Sequence, residues 1–275
     1  MEKRKLMAIV AHPDDESLGL GGTLAKYAAE GAEVSVLMAT KGERGRFGTA
    51  AQSPGLDIVG KTRAEELLKA CKVLGVKHVR FLGYIDGDLD QAPAEQIIEE
   101  IALHIRDLKP QVVLSFGPEG AYGHPDHIAI SQFTTAAILK AALADFDSLN
   151  SRPHTVLKLY NVLWSKPIWE VYQAAFKEMS MTVDGEKRLA FPYPEWMTTT
   201  QLNAESYWET AWAAIQCHQT QIAIYQNLDR LTPSQHRVLW GRQEFYRVFS
   251  LVNGGRIKER DLFAGIKEGV LRPTI

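Results

Sequence analysis

The chain has 275 residues, of which 45% are hydrophobic, and a formal charge of −2. This length can bury a large core, as one α/β unit or as a core with an appendage. The near-neutral charge removes any electrostatic case for nucleic acid or an anionic membrane surface as a partner. Two cysteines, Cys71 and Cys217, cannot make a disulfide framework, and neither belongs to a CxxC pair, which fits reduced thiols in a cytoplasm.

The opening MEKRKLMAIVA has the basic-then-apolar character of a signal peptide. Its apolar run is short, however, and leads into His12-Pro13-Asp14-Asp15-Glu16 rather than a cleavage site. It reads as a first strand, Leu6–Ala11. A helix over 20–30 follows and stops at Gly31, a residue suited to the position after a helix end. Glu33–Thr40 reads as a second strand. Residues 41–61 are Gly-rich and aperiodic, and a loop this long in a compact domain is usually functional. Leu67, Leu68, Cys71 and Leu74 give 62–74 a helical spacing. Then come a strand at Val79–Leu82, a helix over 93–108 opened by Pro93, and a strand at Val112–Phe116. A helix over 127–144, a linker over 145–156 and a strand within Leu157–Trp164 complete the alternation.

The strand segments are apolar throughout, as in a sheet covered on both faces. Alternation with helices predicts an α/β fold with a mostly parallel sheet and helices on both sides. Residues 1–164 form this core in our reading, and 165–275 a smaller C-terminal α+β part. That second part holds most of the Trp and Pro, a loop around PYPEW at 192–196 and a helix over 203–219. No run is long enough to cross a bilayer, so the expectation is a cytoplasmic protein without membrane insertion.

Two clusters carry chemistry. AHPDDE follows the first strand, and GHPDH at 123–127 follows the fourth. Ligands of such sheets bind beyond the carboxyl ends of the strands, where both clusters fall. Catalytic zinc takes three protein ligands and keeps one position open. His12, Asp15 and His127 suit that role, leaving Asp14 beside the open position as a base. His124 can stabilise an oxyanion or protonate a leaving amine, with Asp126 holding His124 or another ring and Tyr122 donating a further hydrogen bond. The bland reading is that Asp14, Asp15 and Glu16 merely favour a helix N-terminus; it accounts for the acids but not the histidines. Gly19, Gly21 and Gly22 are a poor dinucleotide fingerprint and read as a close approach of helix and sheet.

The strings AHPDDESLGLGGTLAKYAAEG, TKGERG, TRAEELLKACKVLGV, LGYIDGDL and GHPDH, in this order, resemble the LmbE-like (PIG-L) family of zinc-dependent N-acetylglucosamine deacetylases over about residues 6–140. YGHPDH and HQTQ are most similar to its mycothiol-pathway branch. The resemblance implies a Rossmann-like sheet and zinc, or Fe2+ in its place, on His12, Asp15 and His127. It implies Asp14 as general base, His124 as the electrophilic or acid residue tuned by Asp126, and assistance from Tyr122. It also implies that Arg63 and Asp86 hold sugar hydroxyls and that the C-terminal part packs on the core and shapes the substrate pocket. Without the resemblance, Arg63 pairs with Glu65 or Glu66 on its helix, Asp86 opens a turn, and His218 and Gln221 form a packed pair.

The expected reaction is hydrolysis of the acetamide of a small acetylated amino sugar or glycoside. The sequence also admits a deacylase of a non-sugar amide or antibiotic intermediate, a nucleotide-binding Rossmann enzyme, and a non-catalytic sugar-binding relative. It is compatible with a homo-oligomer.

Overall fold

The expected alternation forms. In chain order the elements are β1 (Lys5–Val10), α1 (Asp15–Leu18), α2 (Gly21–Ala29), β2 (Glu33–Thr40), α3 (Leu56–Val73), β3 (His78–Tyr84), α4 (Ala94–Leu108), β4 (Val112–Ser115), a short turn α5 (Gly120–Gly123), α6 (Pro125–Ala142) and β5 (Lys158–Val162). There follow α7 (Lys166–Phe176), a hairpin of β6 (Ser180–Val183) and β7 (Glu186–Leu189), β8 (Thr200–Asn203), α8 (Trp208–Ile215) and β9 (Arg242–Ser250). The structure, a computed structural model, describes residues 3–146, 151–176, 178–253 and 257–267. Of the linker expected at 145–156, residues 147–150 lie outside the described residues.

Seven strands form one sheet in the order β3-β2-β1-β4-β5-β9-β8. The first five run parallel, and β9 and β8 add antiparallel pairs. In β1, Leu6, Met7, Ala8 and Ile9 are wholly buried, because helices cover both faces; the Leu, Met and Ile side chains each contribute about 1.5–3 kcal/mol of burial. The chain leaves β1 on one side for β2 and β3, then returns to place β4 on the other edge of β1. Right-handed crossovers make that reversal a crevice at the carboxyl ends of β1 and β4.

Two details differ from the sequence reading. Helix α3 begins at Leu56, so the aperiodic loop is 41–55. Its first turn shows no apolar stripe because Leu56 and Ile58 face solvent and only Val59 turns inward. The helix expected over 203–219 is confined to Trp208–Ile215. The glycines of α2 approach a neighbouring helix and backbone as well as the sheet, where a Cβ on Gly22 would stand 3.3 Å from Gln243 Cγ of β9. A Cβ on Gly21 would stand 3.0 Å from the Ala211 Cβ of α8, and one on Gly22 1.9 Å from the Trp240 carbonyl oxygen.

Candidate active site

Four of the five parallel strands deliver polar side chains to the same edge. His12 follows β1, Glu43 follows β2, Asp86 follows β3, and the loop after β4 brings Tyr122, His124, Asp126 and His127. Of these, His12, Asp86, Tyr122, His124 and His127 line the floor of a cavity of about 570 Å³, together with Asp14, Asp15 and Arg63.

His12 and His127 meet across 115 positions of sequence, with His12 Nδ1 3.2 Å from His127 Nε2. The Asp15 carboxylate lies between them, Oδ2 3.7 Å from His12 Nδ1 and Oδ1 3.4 Å from His127 Nε2. Asp15 Oδ2 also accepts from the His12 amide at 2.8 Å, which fixes its orientation. The other nitrogen of His12, Nε2, donates to Asp126 Oδ2 at 2.9 Å and faces Asp86 Oδ1 at 3.1 Å. A proton on Nε2 leaves the lone pair of Nδ1 aimed at His127. Asp126 therefore holds His12, and not His124. Its carboxylate in turn accepts from the amides of Gly87 at 2.7 Å and Leu89 at 3.2 Å.

The donor set fits a tetrahedral divalent ion. Bonds of about 2.0–2.1 Å place two ligands of a tetrahedron about 3.3–3.4 Å apart. The three separations, 3.2, 3.4 and 3.7 Å, bracket that value. Two imidazole lone pairs facing each other also need a proton or a cation between them. His12, Asp15 and His127 therefore form a candidate metal group, all three with donor atoms within 4.8 Å of one another. His12, Asp86 and His124 satisfy the same distance criterion. There, however, His12 offers Nε2, whose proton the carboxylates of Asp126 and Asp86 already take.

Electrostatics follow from this crowding. Burial disfavours a charged His12, yet Asp126, Asp86 and Asp15 together raise its pKa to about 10. Burial opposes ionisation of Asp15, but the His127 and His12 rings hold its carboxyl below the usual range. Asp86 is likewise held near 2, the hydrogen bond to His12 overcoming burial. His124 moves the other way: burial, with the His127 and His12 rings beside it, pushes it down to about 3. Geometry agrees, because His124 caps α6 by accepting the Asp126 amide proton on Nδ1 at 3.2 Å. With Nδ1 accepting, the neutral ring has Nε2–H left as a donor. Phe116 and His124 stack on His127, with centroids 3.9 and 4.6 Å away. The Tyr122 ring stands 5.9 Å from His124, and burial pushes its phenol pKa up.

Asp14 adopts φ 113° and ψ −26°, a backbone state that costs a non-glycine residue about 1–3 kcal/mol. Its surroundings fix it. The Asp14 amide donates to Glu16 Oε2 at 2.9 Å, its carbonyl accepts from the amides of Ser17 and Leu18, and its Oδ2 accepts from Arg63 Nη2 at 3.0 Å. Arg63 is buried and also donates to the carbonyls of Gly42 and Pro13. Glu66, on the same helix, accepts from the amide and hydroxyl of Thr220.

The sequence reading gave Glu16 no side-chain partner and paired His218 with Gln221. Glu16 Oε1 lies 2.8 Å from His218 Nε2, both fully buried, while Gln221 donates to the Arg46 carbonyl. Their signals were the last letter of AHPDDE and the HQTQ string. Of the aromatics, Trp164 and Tyr193 line the cavity, whereas Trp196 is 74% exposed.

The family described as PIG-L: GlcNAc-PI de-N-acetylase matches residues 7–138. The chain is 32% identical over 249 residues to a 1D-myo-inositol 2-acetamido-2-deoxy-alpha-D-glucopyranoside deacetylase of Thermobifida fusca, covering 82% of this chain and 85% of that protein. The fold is similar to the N,N'-diacetylchitobiose deacetylase of Pyrococcus horikoshii, at TM-score 0.67 and 19% identity, over 90% of this chain and 84% of that one. It is also similar to the 4-carboxy-2-hydroxymuconate hydratase of Pseudomonas putida, at TM-score 0.65 and 21% identity, over 92% and 99%. Likeness at such identity speaks for the fold alone, and two reactions on one fold leave the chemistry to the site. The family match spans both His-Pro-Asp clusters, the identity runs along most of the chain, and the chain belongs to the PIG-L, GlcNAc-PI de-N-acetylase, family.

Proposed function

We propose that this protein hydrolyses the acetamide of an N-acetylglucosamine-type substrate, releasing acetate and a free amine. The observation that carries the reading is the convergence of His12, Asp15 and His127 beside Asp14 on the cavity floor. The names of the curated relatives, which are deacetylases of an acetylated glucosaminyl inositol, support it.

His12, Asp15 and His127 would hold Zn2+, or Fe2+, since this nitrogen and oxygen set accepts both. The bound ion supplies Lewis acidity toward the amide carbonyl and acidifies water toward a pKa of about 7. Asp14 takes the proton of the attacking water, held in place by Arg63 and by its own fixed backbone. His124 donates from Nε2–H toward the developing oxyanion, because Nδ1 is occupied by the Asp126 amide. Tyr122 lines the same floor and adds a hydroxyl. Asp14, now protonated, returns its proton to the leaving nitrogen. Asp126 acts on His12, keeping its Nδ1 lone pair toward the metal group. Arg63 and Asp86 border the space beside Asp14 and meet the sugar hydroxyls. Residues 165–275 act in this reading as an extension that packs on the core and closes the substrate pocket. Among the described residues no helix is long and apolar enough to cross a membrane, in keeping with a cytoplasmic enzyme on a small substrate.

The test is amine release from N-acetylated glycosides by metal-loaded and chelator-treated protein. The reading expects release that chelation abolishes and that Zn2+ or Fe2+ restores. Release that chelation leaves unchanged would refute it.

A further inference from the structure

The cavity has two unlike halves. Its polar floor is built from residues 12–127. The lining contributed by residues 162–193 is different: Val162, Trp164, Phe176, Met179, Met181 and Tyr193 belong to it, together with Tyr172 and Phe191. Among the described residues of that stretch, Glu178 and Ser180 are the wholly polar side chains in the lining, and the Tyr193 hydroxyl is turned to Glu119. Glu178 and Ser180 are exposed at the rim and already engaged, the Ser180 hydroxyl donating to Glu178 at 2.9 Å and Lys187 pairing with the same carboxylate. The Tyr172 hydroxyl is spent on the Leu18 carbonyl at 3.0 Å.

This wall is not simply core. Trp164, Phe176, Met179, Met181 and Tyr193 keep partial solvent access, and Phe191 is 52% exposed. Contiguous apolar surface left open beside a reaction centre is a binding surface in waiting. The wall is also held firmly. Trp164 and Tyr172 lie 5.2 Å apart by ring centroid, Tyr193 donates its amide to the Trp164 carbonyl at 2.9 Å, and Arg188 of the hairpin donates to the Gly123 carbonyl at 2.8 Å. That last contact ties the wall to the loop carrying His124 and His127.

We infer that this half of the cavity is a subsite for an apolar aglycone, an aryl or alkyl group on the anomeric oxygen of the acetylated amino sugar. The inference rests on the deacetylase reading to orient the substrate. With the acetamide beside Asp14 and His124, a single sugar ring occupies the floor, and the group attached to it meets the wall. A cyclitol or second sugar there would bury hydroxyls against Met179, Met181 and Phe176, which offer them no partner, whereas a phenyl or butyl group loses nothing on leaving water.

The experiment measures equilibrium binding and acetate release separately, on metal-loaded protein. The probes are the methyl, butyl, phenyl and myo-inositol glycosides of N-acetylglucosamine, with methyl N-hexanoylglucosaminide as a fifth. The butyl and phenyl glycosides are expected to bind about tenfold or more tighter than the methyl glycoside, from the apolar area buried. The inositol glycoside is expected to gain nothing over methyl. Met181→Ser and Phe191→Ser should each shrink the phenyl-to-methyl ratio; Phe191 is half exposed, so that variant folds even if the other does not. Tightest binding of the inositol glycoside, or equal binding of all, overturns the subsite. A gain from the hexanoyl amide without one from butyl also overturns it, placing the acyl chain there instead. Retained binding order with no acetate released from any glycoside would leave the subsite standing and remove the deacetylase reading.

Discussion

Glu16 Oε1 and His218 Nε2 stand 2.8 Å apart with no exposure of either side chain, joining the loop after β1 to a segment 202 positions later. The second oxygen of Glu16 holds the Asp14 amide, so the pair braces the strained residue proposed as base. Removing one member of a buried pair strands the other, at a cost of about 3–5 kcal/mol. His218→Ala is expected to lose that much in urea unfolding and to lower turnover. His218→Gln keeps a donor to Glu16 and should lose less of both. An Ala variant as stable as the parent would show that the pair contributes nothing.

The same pair predicts a pH dependence. Burial disfavours a charged His218, but Glu16 outweighs it and raises the pKa above the ordinary 6.5. A basic group raised on folding stabilises fully below its unfolded pKa, and the contribution fades as pH climbs through the folded value. The difference in melting temperature between parent and His218→Gln should therefore be widest below about pH 6.5 and narrow toward alkaline pH. A gap that widens with pH contradicts this sign.

Asp14→Ala is expected to retain metal and lose about 10²–10⁴ in turnover, the usual worth of a positioned base. His127→Ala should instead lose the metal. Metal analysis of both purified variants, alongside rates, separates the roles.

Asp126→Asn should weaken metal binding by about 10–100-fold, the common effect of losing the carboxylate behind a ligating histidine. Asp126 Oδ2 accepts from both His12 Nε2 and the Gly87 amide, so an amide nitrogen at that position meets only donors. Competition with a chromogenic chelator measures the change.

Gly22→Ala should destabilise the fold by about 1–3 kcal/mol or more, because the new methyl lands against the Trp240 carbonyl oxygen, an atom of backbone that cannot swing aside. Thermal unfolding at fixed pH tests it.

The parts of this molecule legible in sequence were those written by local rules. Apolar runs gave the five parallel strands within one or two residues, and the residues directly after β1 and β4 announced the site. What stayed hidden depends on pairs that only the folded chain creates. Asp126 could hold either of two rings, and only the position of His12 decides between them. Arg63 sits among acids on its own helix yet turns to Asp14, since burial there favours a guanidinium that can reach three acceptors. The first turn of α3 has no apolar stripe to betray it, and His218 gains its partner from the opposite end of the chain.

The division of the cavity lining by chain position has a practical side. Every group proposed to react sits before residue 128, and the apolar wall is drawn from one stretch, 162–193. Swapping that stretch alone between relatives would transplant ligand preference onto an untouched reaction centre, so taste and turnover can be altered one at a time.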